Sequence, residues 1–264
     1  MSTPHPIVTL ATDFGEGSRY VAAMKGALLR GNPDARLIDL THAIPPQDVL
    51  FGAIVLDETV PWFPPNTLHV VVVDPGVGTA RRILYVEWRD QRLLLPDNGL
   101  MACLAAREKP TRMLVLENRD WWHRQVAPTF HGRDLFAPVA AQLSLGRDPQ
   151  GLGPQVTTMV TIPLSKGVRV GQKIEGEVIE IDSFGNLVTD IGEDLLDGVP
   201  RDDRVRISCD GHETFGIFST YAEQPSMTLV ALVGSGGKLE LAIVEENAAL
   251  MLGVRRGAKV TLEW

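Results

Sequence analysis

An uninterrupted apolar run at residues 68–73, LHVVVV, constrains the fold of this chain more than any other segment. A strand with one face in water alternates apolar and polar side chains, whereas a strand covered on both faces is apolar throughout. The run therefore predicts a central strand of a largely parallel sheet that has helices on both sides. Open α/β sheets bind ligands at the carboxyl ends of their strands, so we expect a site there.

The N-terminal part of the chain supplies further strands and helices for this sheet. Short apolar runs predict strands at residues 7–11, 37–40, 83–86, 93–95 and 113–116. Helical periodicity predicts helices at residues 19–30, 100–107 and 135–143. We therefore expect an α/β domain with a Rossmann-like, largely parallel sheet over residues 1–148.

The sequence pattern changes from alternating strands and helices to strand-like segments at the stretch GRDPQGLGPQ, which begins at Gly146 and is rich in glycine and proline. We expect a linker at residues 149–167 and a second domain at residues 168–264. Strand-like segments in that domain lie at residues 173–181, 205–208, 214–218, 239–243 and 258–264. Asp210-Gly211 is typical of a tight hairpin turn, so the second domain is expected to be a small antiparallel β-barrel.

Composition excludes several classes of partner. The formal net charge is −8, and the longest basic runs are the pairs Arg81-Arg82 and Arg255-Arg256, so no nucleic-acid partner is expected. Cys103 and Cys209 stand far apart without a CxxC spacing, which indicates reduced thiols and gives no sign of zinc. We find neither a leader-like N-terminus nor a membrane-length apolar stretch, and we expect a cytoplasmic protein without a membrane partner.

Three apolar runs end in an aspartate beside a glycine-containing turn, at Asp13 (TDFG), Asp74 (DPGVG) and Asp97 (PDNG). One such aspartate alone most simply caps a turn or a helix. Three of them can converge on one edge of the sheet, which favours a site.

Two further side chains can join these carboxylates. Arg81 follows the glycine turn after Asp74, and His131 in FHGRD directly precedes the helix predicted at residues 135–143. A helix N-terminus disfavours an imidazolium ion, so we expect His131 to stay neutral at physiological pH.

Other polar motifs carry less information. The glycine turns at residues 76–81 and 234–239 lack the spacing of a dinucleotide loop or a P-loop, so no phosphate cradle is expected. The segment IDSFGNLVT at residues 181–189 interrupts a strand with polar groups, and it is either an exposed bulge or part of a binding site.

The motifs TDFG with YVAAMKGAL, VVVDPGVGTAR, PDNGL, FHGRDLFAPVAA and IDSFGNLVT occur here in that order. With them the chain resembles, over nearly its whole length, the S-adenosylmethionine hydroxide adenosyltransferases, relatives of the fluorinating and chlorinating enzymes. The resemblance implies hydrolysis of S-adenosyl-L-methionine by water attack at ribose C5′, giving adenosine and L-methionine without a metal or cofactor. It also implies a homotrimer whose active sites lie between the first domain of one subunit and the second domain of its neighbour.

The resemblance also assigns roles to single residues. Asp74, Arg81 and His131 match the triad that positions and activates water, with the proton acceptor left open between His131 and Asp74. Asp13 matches the carboxylate that holds the ribose diol. The remaining substrate contacts implied in the second domain are Asp182 for the methionine ammonium, Ser235 for its carboxylate, Asn186 and the Asn247-Ala248 backbone for adenine, and Tyr221 beside the base.

Two departures from the halogenating relatives bear on the chemistry. Those enzymes carry hydroxyl-bearing residues where this chain has Asp74, Val77 and Gly132, and they have an inserted loop that residues 84–93 lack, which argues against halide chemistry. They also have an arginine after the serine equivalent to Ser235, whereas glycines follow here, so the means of holding the methionine carboxylate stays open. The alternatives are a sensor that binds S-adenosylmethionine or adenosine with negligible turnover and, less favoured, a halide-using adenosyltransferase.

Overall fold

The computed structural model describes residues 5–264 and divides the chain into two compact units, Met1–Ile162 and Pro163–Trp264. Much of the segment expected as a linker, residues 149–167, belongs to the first unit. Val156 and Met159 pack against a core cluster of that unit. The backbone N–H of Val160 donates to Asp97 Oδ1 at 2.7 Å. Apolar side chains among the turn residues therefore attach this segment to the sheet domain.

The first unit is built on a six-stranded sheet in the order β2-β1-β3-β5-β4-β6. Its strands are β1 Ile7–Thr12, β2 Arg36–Thr41, β3 Leu68–Val72, β4 Ile83–Trp88, β5 Gln91–Pro96 and β6 Arg112–Val115. The pairs β1/β2, β1/β3 and β3/β5 are parallel, and β4 is antiparallel to both of its neighbours. All residues of β3 are buried. The prediction of a largely parallel sheet around this strand is therefore confirmed.

Helices cover both faces of the sheet. They are α1 Arg19–Gly31, α2 Val49–Thr59, α3 Ala102–Arg107 and α4 Ala137–Ser144, the last preceded by a π-helical turn at Gly132–Phe136. The sequence pattern did not predict α2. Its segment VLFGAIVLDET is apolar on nearly every side, so it lacks the stripe by which an amphipathic helix is recognised.

The second unit is an antiparallel sheet in the order β11-β10-β14-β8-β9-β13-β12, with β7 paired to β8. Its strands are β7 Val168–Val170, β8 Lys173–Ile181, β9 Leu187–Gly192, β10 Arg206–Cys209, β11 His212–Phe215, β12 Leu229–Val233, β13 Lys238–Ile243 and β14 Lys259–Glu263, and α5 spans Ala248–Leu252. The Thr214 hydroxyl on the last strand at one edge donates to the Leu229 carbonyl at the other, at 2.7 Å. The sheet is thus nearly closed, and the predicted barrel is confirmed.

The predicted hairpin turn is present in this unit. Asp210 and Gly211 have φ values of 48° and 85°, and they join β10 to β11 as the two-residue turn with both central residues left-handed. The polar motif at residues 181–189 is the loop between β8 and β9 followed by the start of β9, so it separates two strands. None of the helices among residues 5–264 combines the length and the apolarity that crossing a bilayer requires.

Candidate functional site

Two of the aspartates singled out from the sequence lie at the carboxyl edge of the sheet, directly after neighbouring parallel strands. Asp13 follows β1 and Asp74 lies just beyond β3. Burial raises the pKa of Asp13 above its usual value, the backbone N–H of Gln47 acts against this rise, and the charge of Asp74 adds to it. The two carboxylates therefore interact electrostatically at this edge of the sheet.

Asp97 follows β5 at the same edge but is engaged elsewhere. Its carboxylate pairs with Arg82, whose Nε lies 2.8 Å from Oδ2, and it accepts the backbone N–H of Val160 at 2.7 Å. Arg82 also donates to the Thr158 carbonyl at 2.9 Å. Asp97 thus fixes residues 158–160 within the first unit and does not join the other two aspartates in a polar cluster.

Asp74, Arg81 and His131 form one hydrogen-bonded set. Arg81 Nε lies 2.9 Å from both carboxylate oxygens of Asp74, and its Nη2 donates to Asp74 Oδ2 and, at 2.8 Å, to His131 Nδ1. The side chains of Asp74 and Arg81 are only 4% and 12% exposed. The arginine is therefore held between a carboxylate and an imidazole in a place with little water.

The contact with Arg81 determines how His131 carries its proton. A guanidinium has only donors, so His131 Nδ1 must accept, and the proton of the neutral ring resides on Nε2. Burial lowers the pKa of His131, the charge of Arg81 lowers it further, and the charges of Asp74 and Asp134 oppose the shift. The ring is neutral at physiological pH, because of burial and Arg81 rather than the helix terminus alone.

The segment that carries His131 is held from behind by a buried carboxylate. Asp134 accepts the backbone N–H of Ala127 at 2.8 Å and the Nε of Arg133 at 2.6 Å. His131 itself begins the helix that continues through the π-helical turn into α4. This fixes the imidazole on a rigid element.

The turn after Asp74 lies against the same segment. Gly78 has a φ of 79°, and a Cβ at this position would lie 2.7 Å from the backbone oxygen of Pro128. Only glycine permits both this conformation and this approach. The two chain segments that bear the triad are therefore in direct backbone contact.

Three aromatic side chains surround this edge, and the sequence analysis did not single them out. Phe14, Tyr20 and Phe130 contact one another edge to face, with centroid distances of 5.1 to 6.3 Å. Phe14 and Phe130 are the neighbours of Asp13 and His131 in the chain. Their places inside the motifs TDFG and FHGRD were the signal that could have revealed this apolar wall.

The second unit carries its own polar cluster in the loop between β8 and β9. Asp182 Oδ1 accepts the backbone N–H groups of Phe184 and Asn186 at 2.9 and 2.8 Å, and Asn186 Nδ2 donates to Asp182 Oδ2 at 2.9 Å. Burial raises the pKa of Tyr221, and the charges of Glu240 and Asp182 raise it further. Tyr221 Oη lies 3.5 Å from Asn186 Nδ2, so these side chains form one group.

A cavity of about 490 Å³ opens beside this group, lined by Phe184, Asn186, Tyr221, Ile243, Glu245, Glu246 and Asn247. The Asn247 side chain caps α5 by accepting the N–H of Leu250 at 2.8 Å. Ala248, the first residue of α5, is fully buried, backbone and side chain together. Ser235 is exposed in the turn between β12 and β13.

Among the residues that the structure describes, no group of three or more His, Cys, Asp or Glu side chains is arranged to hold a metal ion. In the first unit Asp74, Arg81 and His131 are instead paired with one another. Their arrangement can orient a small polar molecule and hold its protons at defined atoms.

Comparison with known proteins identifies the family to which the chain belongs. Residues 8–153 match the family model described as the SAM hydroxide adenosyltransferase N-terminal domain, and residues 176–261 match the model of the C-terminal domain. A (R)-S-adenosyl-L-methionine hydrolase of Salinispora tropica is 39% identical over 97% of each chain, and one of Thermus thermophilus is 37% identical over 97% of this chain and 98% of its own. A fluorinase of Actinoplanes sp. is 24% identical over 98% of this chain and 97% of its own.

Solved structures resemble the chain as well. An uncharacterised conserved protein from Thermotoga maritima superposes with a TM-score of 0.92 at 33% identity, covering 97% of this chain and 100% of the other. A conserved hypothetical protein from Thermus thermophilus gives a TM-score of 0.76 at 35% identity, covering 98% of this chain and 99% of the other.

Proposed function

The chain belongs to the SAM hydroxide adenosyltransferase family, and on that premise we propose that it hydrolyses S-adenosyl-L-methionine at ribose C5′ to adenosine and L-methionine. The observation that carries this function is the hydrogen-bonded set Asp74–Arg81–His131 at the carboxyl edge of the parallel sheet. S-adenosylmethionine is the substrate, and the residues of the set supply the chemistry without a cofactor.

The reaction is an in-line displacement in which water attacks C5′ and methionine leaves. The sulfonium already bears the positive charge, so its departure gives a neutral thioether and needs no general acid. Catalysis then depends on holding one water molecule opposite the C5′–S bond, which converts a bimolecular step into an oriented one. The protonated product oxygen is a strong acid and loses its proton to any nearby base.

The tautomer of His131 separates the roles of the triad. Because Nδ1 accepts from Arg81, the ring proton is on Nε2, and this N–H can donate to the oxygen of the attacking water. Asp74 Oδ1 receives a single N–H and keeps a lone pair. We therefore assign orientation of the water to His131, proton acceptance to Asp74, and alignment of both to Arg81.

The substrate contacts are divided between the two units. In the proposed site Asp13 binds the ribose diol, while Asp182, Ser235, Asn186, Tyr221 and the Asn247-Ala248 backbone bind methionine and adenine. The triad lies in the first unit and the methionine and adenine contacts lie in the second. In keeping with the family resemblance, we propose a homotrimer in which the first unit of one copy meets the second unit of its neighbour. The proposed location is the cytoplasm, since the described thiols Cys103 and Cys209 are not joined in a disulfide.

Co-expression of two inactive variants tests this arrangement. Arg81→Met and Asp182→Asn each disable every site alone. In randomly mixed trimers about a quarter of the intersubunit sites combine two intact halves, so about a quarter of wild-type activity returns. Light scattering gives the oligomeric state in the same samples. Sites formed within one copy would instead give no recovery above the two separate variants.

The configuration of the substrate at sulfur is a further part of the proposal. The relatives that carry the hydrolase name are named for the R epimer of S-adenosylmethionine. We expect this chain to consume the R epimer in preference to the S epimer. Parallel incubations with the separated epimers, followed by adenosine release, measure the preference directly.

The decisive experiment for the reaction is incubation with S-adenosylmethionine in ¹⁸O-water, followed by mass spectrometry, with His131→Ala alongside. Labelled adenosine together with methionine, strongly reduced in the variant, establishes hydrolysis at C5′. Intact substrate that stays bound without turnover would establish the sensor alternative. A 5′-halo-adenosine formed in chloride or fluoride would establish the halide-using alternative.

A further inference from the structure

Behind the Asp13 turn lies a histidine that the proposed chemistry does not use. His42 follows β2, its side chain is 3% exposed, and its Nδ1 lies 2.8 Å from the hydroxyl of Thr12. Thr12 is the last residue of β1 and is fully buried. The imidazole therefore contacts the residue that immediately precedes the ribose-binding carboxylate.

The backbone of the same turn is also tied to His42. The N–H of Gly15 donates to the His42 carbonyl at 2.9 Å, and the N–H of His42 donates to Glu16 Oε1 at 2.9 Å. The N–H of Phe14 donates to the Thr12 hydroxyl at 3.2 Å. Residues on both sides of Asp13 are thus connected to this one histidine, directly or through Thr12.

On its other side, His42 meets a charged pair at the surface. His42 Nε2 lies 3.1 Å from Asp39 Oδ1, and Asp39 Oδ2 lies 2.5 Å from Lys25 Nζ. The Thr12 oxygen already accepts from Phe14, so its own proton can go to His42 Nδ1. The ring proton then lies on Nε2, which is close to Asp39 but makes no well-directed hydrogen bond, and close polar contacts link the surface pair to the Asp13 turn.

A register shift in the sheet accompanies this contact. Leu10 pairs with Asp39, but the next residue, Ala11, pairs with Thr41, so β2 contains one extra residue just before His42. Such bulges re-aim side chains at the ends of strands and occur often beside functional sites. Here the bulge lies between Asp39 and Thr41, just before His42, at the end of β2 that is next to Thr12.

We propose that His42 is a positioning residue for the ribose diol, acting through Thr12 to hold the Asp13 carboxylate in its binding orientation. The inference rests on the proposed role of Asp13 in diol binding. Burying a polar ring is costly unless its hydrogen bonds are made. Here Nδ1 meets the Thr12 hydroxyl, while Nε2 lies 3.1 Å from Asp39 Oδ1 without a well-directed hydrogen bond, so the contact with Thr12 is the one that orients the ring. The ring is therefore held in a defined orientation against the residue that begins the Asp13 turn.

The same sheet contains a matched control. His69 is fully buried, and its Nδ1 also lies 2.8 Å from a threonine hydroxyl of β1, that of Thr9. Its other nitrogen faces Gln91 at 3.3 Å, and burial lowers its pKa to about 4. Thr9 lies in the middle of β1, away from the carboxyl edge. Truncation of His69 therefore removes a comparable buried ring without touching the Asp13 turn.

The test compares adenosine with 2′,3′-dideoxyadenosine, which lacks the diol, by calorimetry on the full-length protein. His42→Ala weakens adenosine binding by about tenfold, the loss of roughly one hydrogen bond to a charged group, and leaves dideoxyadenosine within about twofold. Asp13→Ala shows the same selectivity with a larger loss. His69→Ala lowers the melting temperature but affects the two ligands equally.

A second set of measurements covers the case in which His42→Ala does not fold. The Asp39 side chain is 40% exposed, so Asp39→Ala leaves the core intact and gives a smaller loss of the same diol-selective kind. His42→Asn keeps a polar group toward Thr12 and restores part of the affinity. In turnover assays both His42 variants raise KM for S-adenosylmethionine with kcat changed by less than about threefold, as loss of uniform binding requires.

Two outcomes distinguish failure of the inference from failure of its premise. If Asp13→Ala is diol-selective while His42→Ala or Asp39→Ala weakens both ligands equally, His42 is a structural residue only and the inference is overturned. If Asp13→Ala itself is not diol-selective, the proposed ribose contact is wrong, and the positioning role of His42 is wrong with it.

Discussion

Replacing Arg81 with methionine removes the one side chain that connects Asp74 to His131 while it keeps most of the apolar bulk. The arginine donates to both Asp74 oxygens and to His131 Nδ1, and the side chains of Arg81 and Asp74 are 12% and 4% exposed. Breaking a buried ion pair by removing one partner costs about 3–5 kcal/mol, because the other charge stays buried without compensation. The residual exposure of Arg81 places this case near the lower end, about 3 kcal/mol.

A loss of about 3 kcal/mol corresponds to a fall in melting temperature of roughly 6–12 °C for a protein of this size. Turnover should fall by about 100-fold or more, since the imidazole proposed to orient the water and the carboxylate proposed to accept its proton both lose their alignment. The pKa of His131 should also rise, because the charge of Arg81 is one cause of its lowered value.

The neighbouring arginine provides the control. Arg82 pairs with Asp97, whose side chain is 3% exposed, but this pair holds residues 158–160 and lies outside the triad. Arg82→Met should lower the melting temperature and retain most of the turnover, with the His131 pKa unchanged. The assay consists of thermal melts, of kcat for both variants, and of NMR titration of the His131 ring over about pH 5 to 9, which includes the range in which histidine titrates. Turnover of Arg81→Met within about threefold of Arg82→Met, or a His131 pKa that stays in place, refutes the reasoning.

Two further substitutions test the carboxylate and the helix start. Asp13→Asn should melt at a higher temperature than the wild type at about pH 7, because burial raises the pKa of Asp13 and so disfavours its ionised form in the folded state. This difference in melting temperature should fade as the pH falls through the raised pKa toward 3.8. Calorimetry should also show weaker adenosine binding by the variant. Equal melting temperatures at neutral pH would contradict this. Gly132→Ser places a Cβ 3.2 Å from Phe14 Cζ, so Phe14 must shift and the free energy of unfolding should fall by about 1–3 kcal/mol in urea titrations, whereas an unchanged midpoint would show that the site has spare room.

The predictable parts of the fold are those that local patterns determine. The run at residues 68–73 could be only a strand covered on both faces, and Asp210-Gly211 could take the left-handed turn that joins β10 to β11. Helix α2 was not predictable from periodicity, since its side chains are apolar on all sides and the sheet determines which face is buried. The packing of residues 149–162 on the first unit depends on Val156 and Met159 finding a core, which no local signal reports.

The candidate site was predictable in its residues but not in its contacts. Motif resemblance supplied Asp74, Arg81 and His131, yet the distance of 2.8 Å between residues 50 positions apart follows only from the fold. The neutral state of His131 was expected from the helix terminus, whereas burial and the charge of Arg81 are its main causes. His42 gave no signal at all, because a histidine after a strand is ordinary until its neighbours are known.

The π-helical turn at Gly132–Phe136 makes the register of this site depend on the length of the chain. Its hydrogen bond from the Ala137 N–H to the Gly132 carbonyl spans one residue more than an α-helical bond does. Deleting one residue there would let α4 continue as a regular helix while its buried face keeps its packing. Each residue of an α-helix turns the chain by about 100°, so His131 would swing around the helix axis and lose Arg81. Deletion of one residue at this turn should therefore abolish turnover while the rest of the fold is kept.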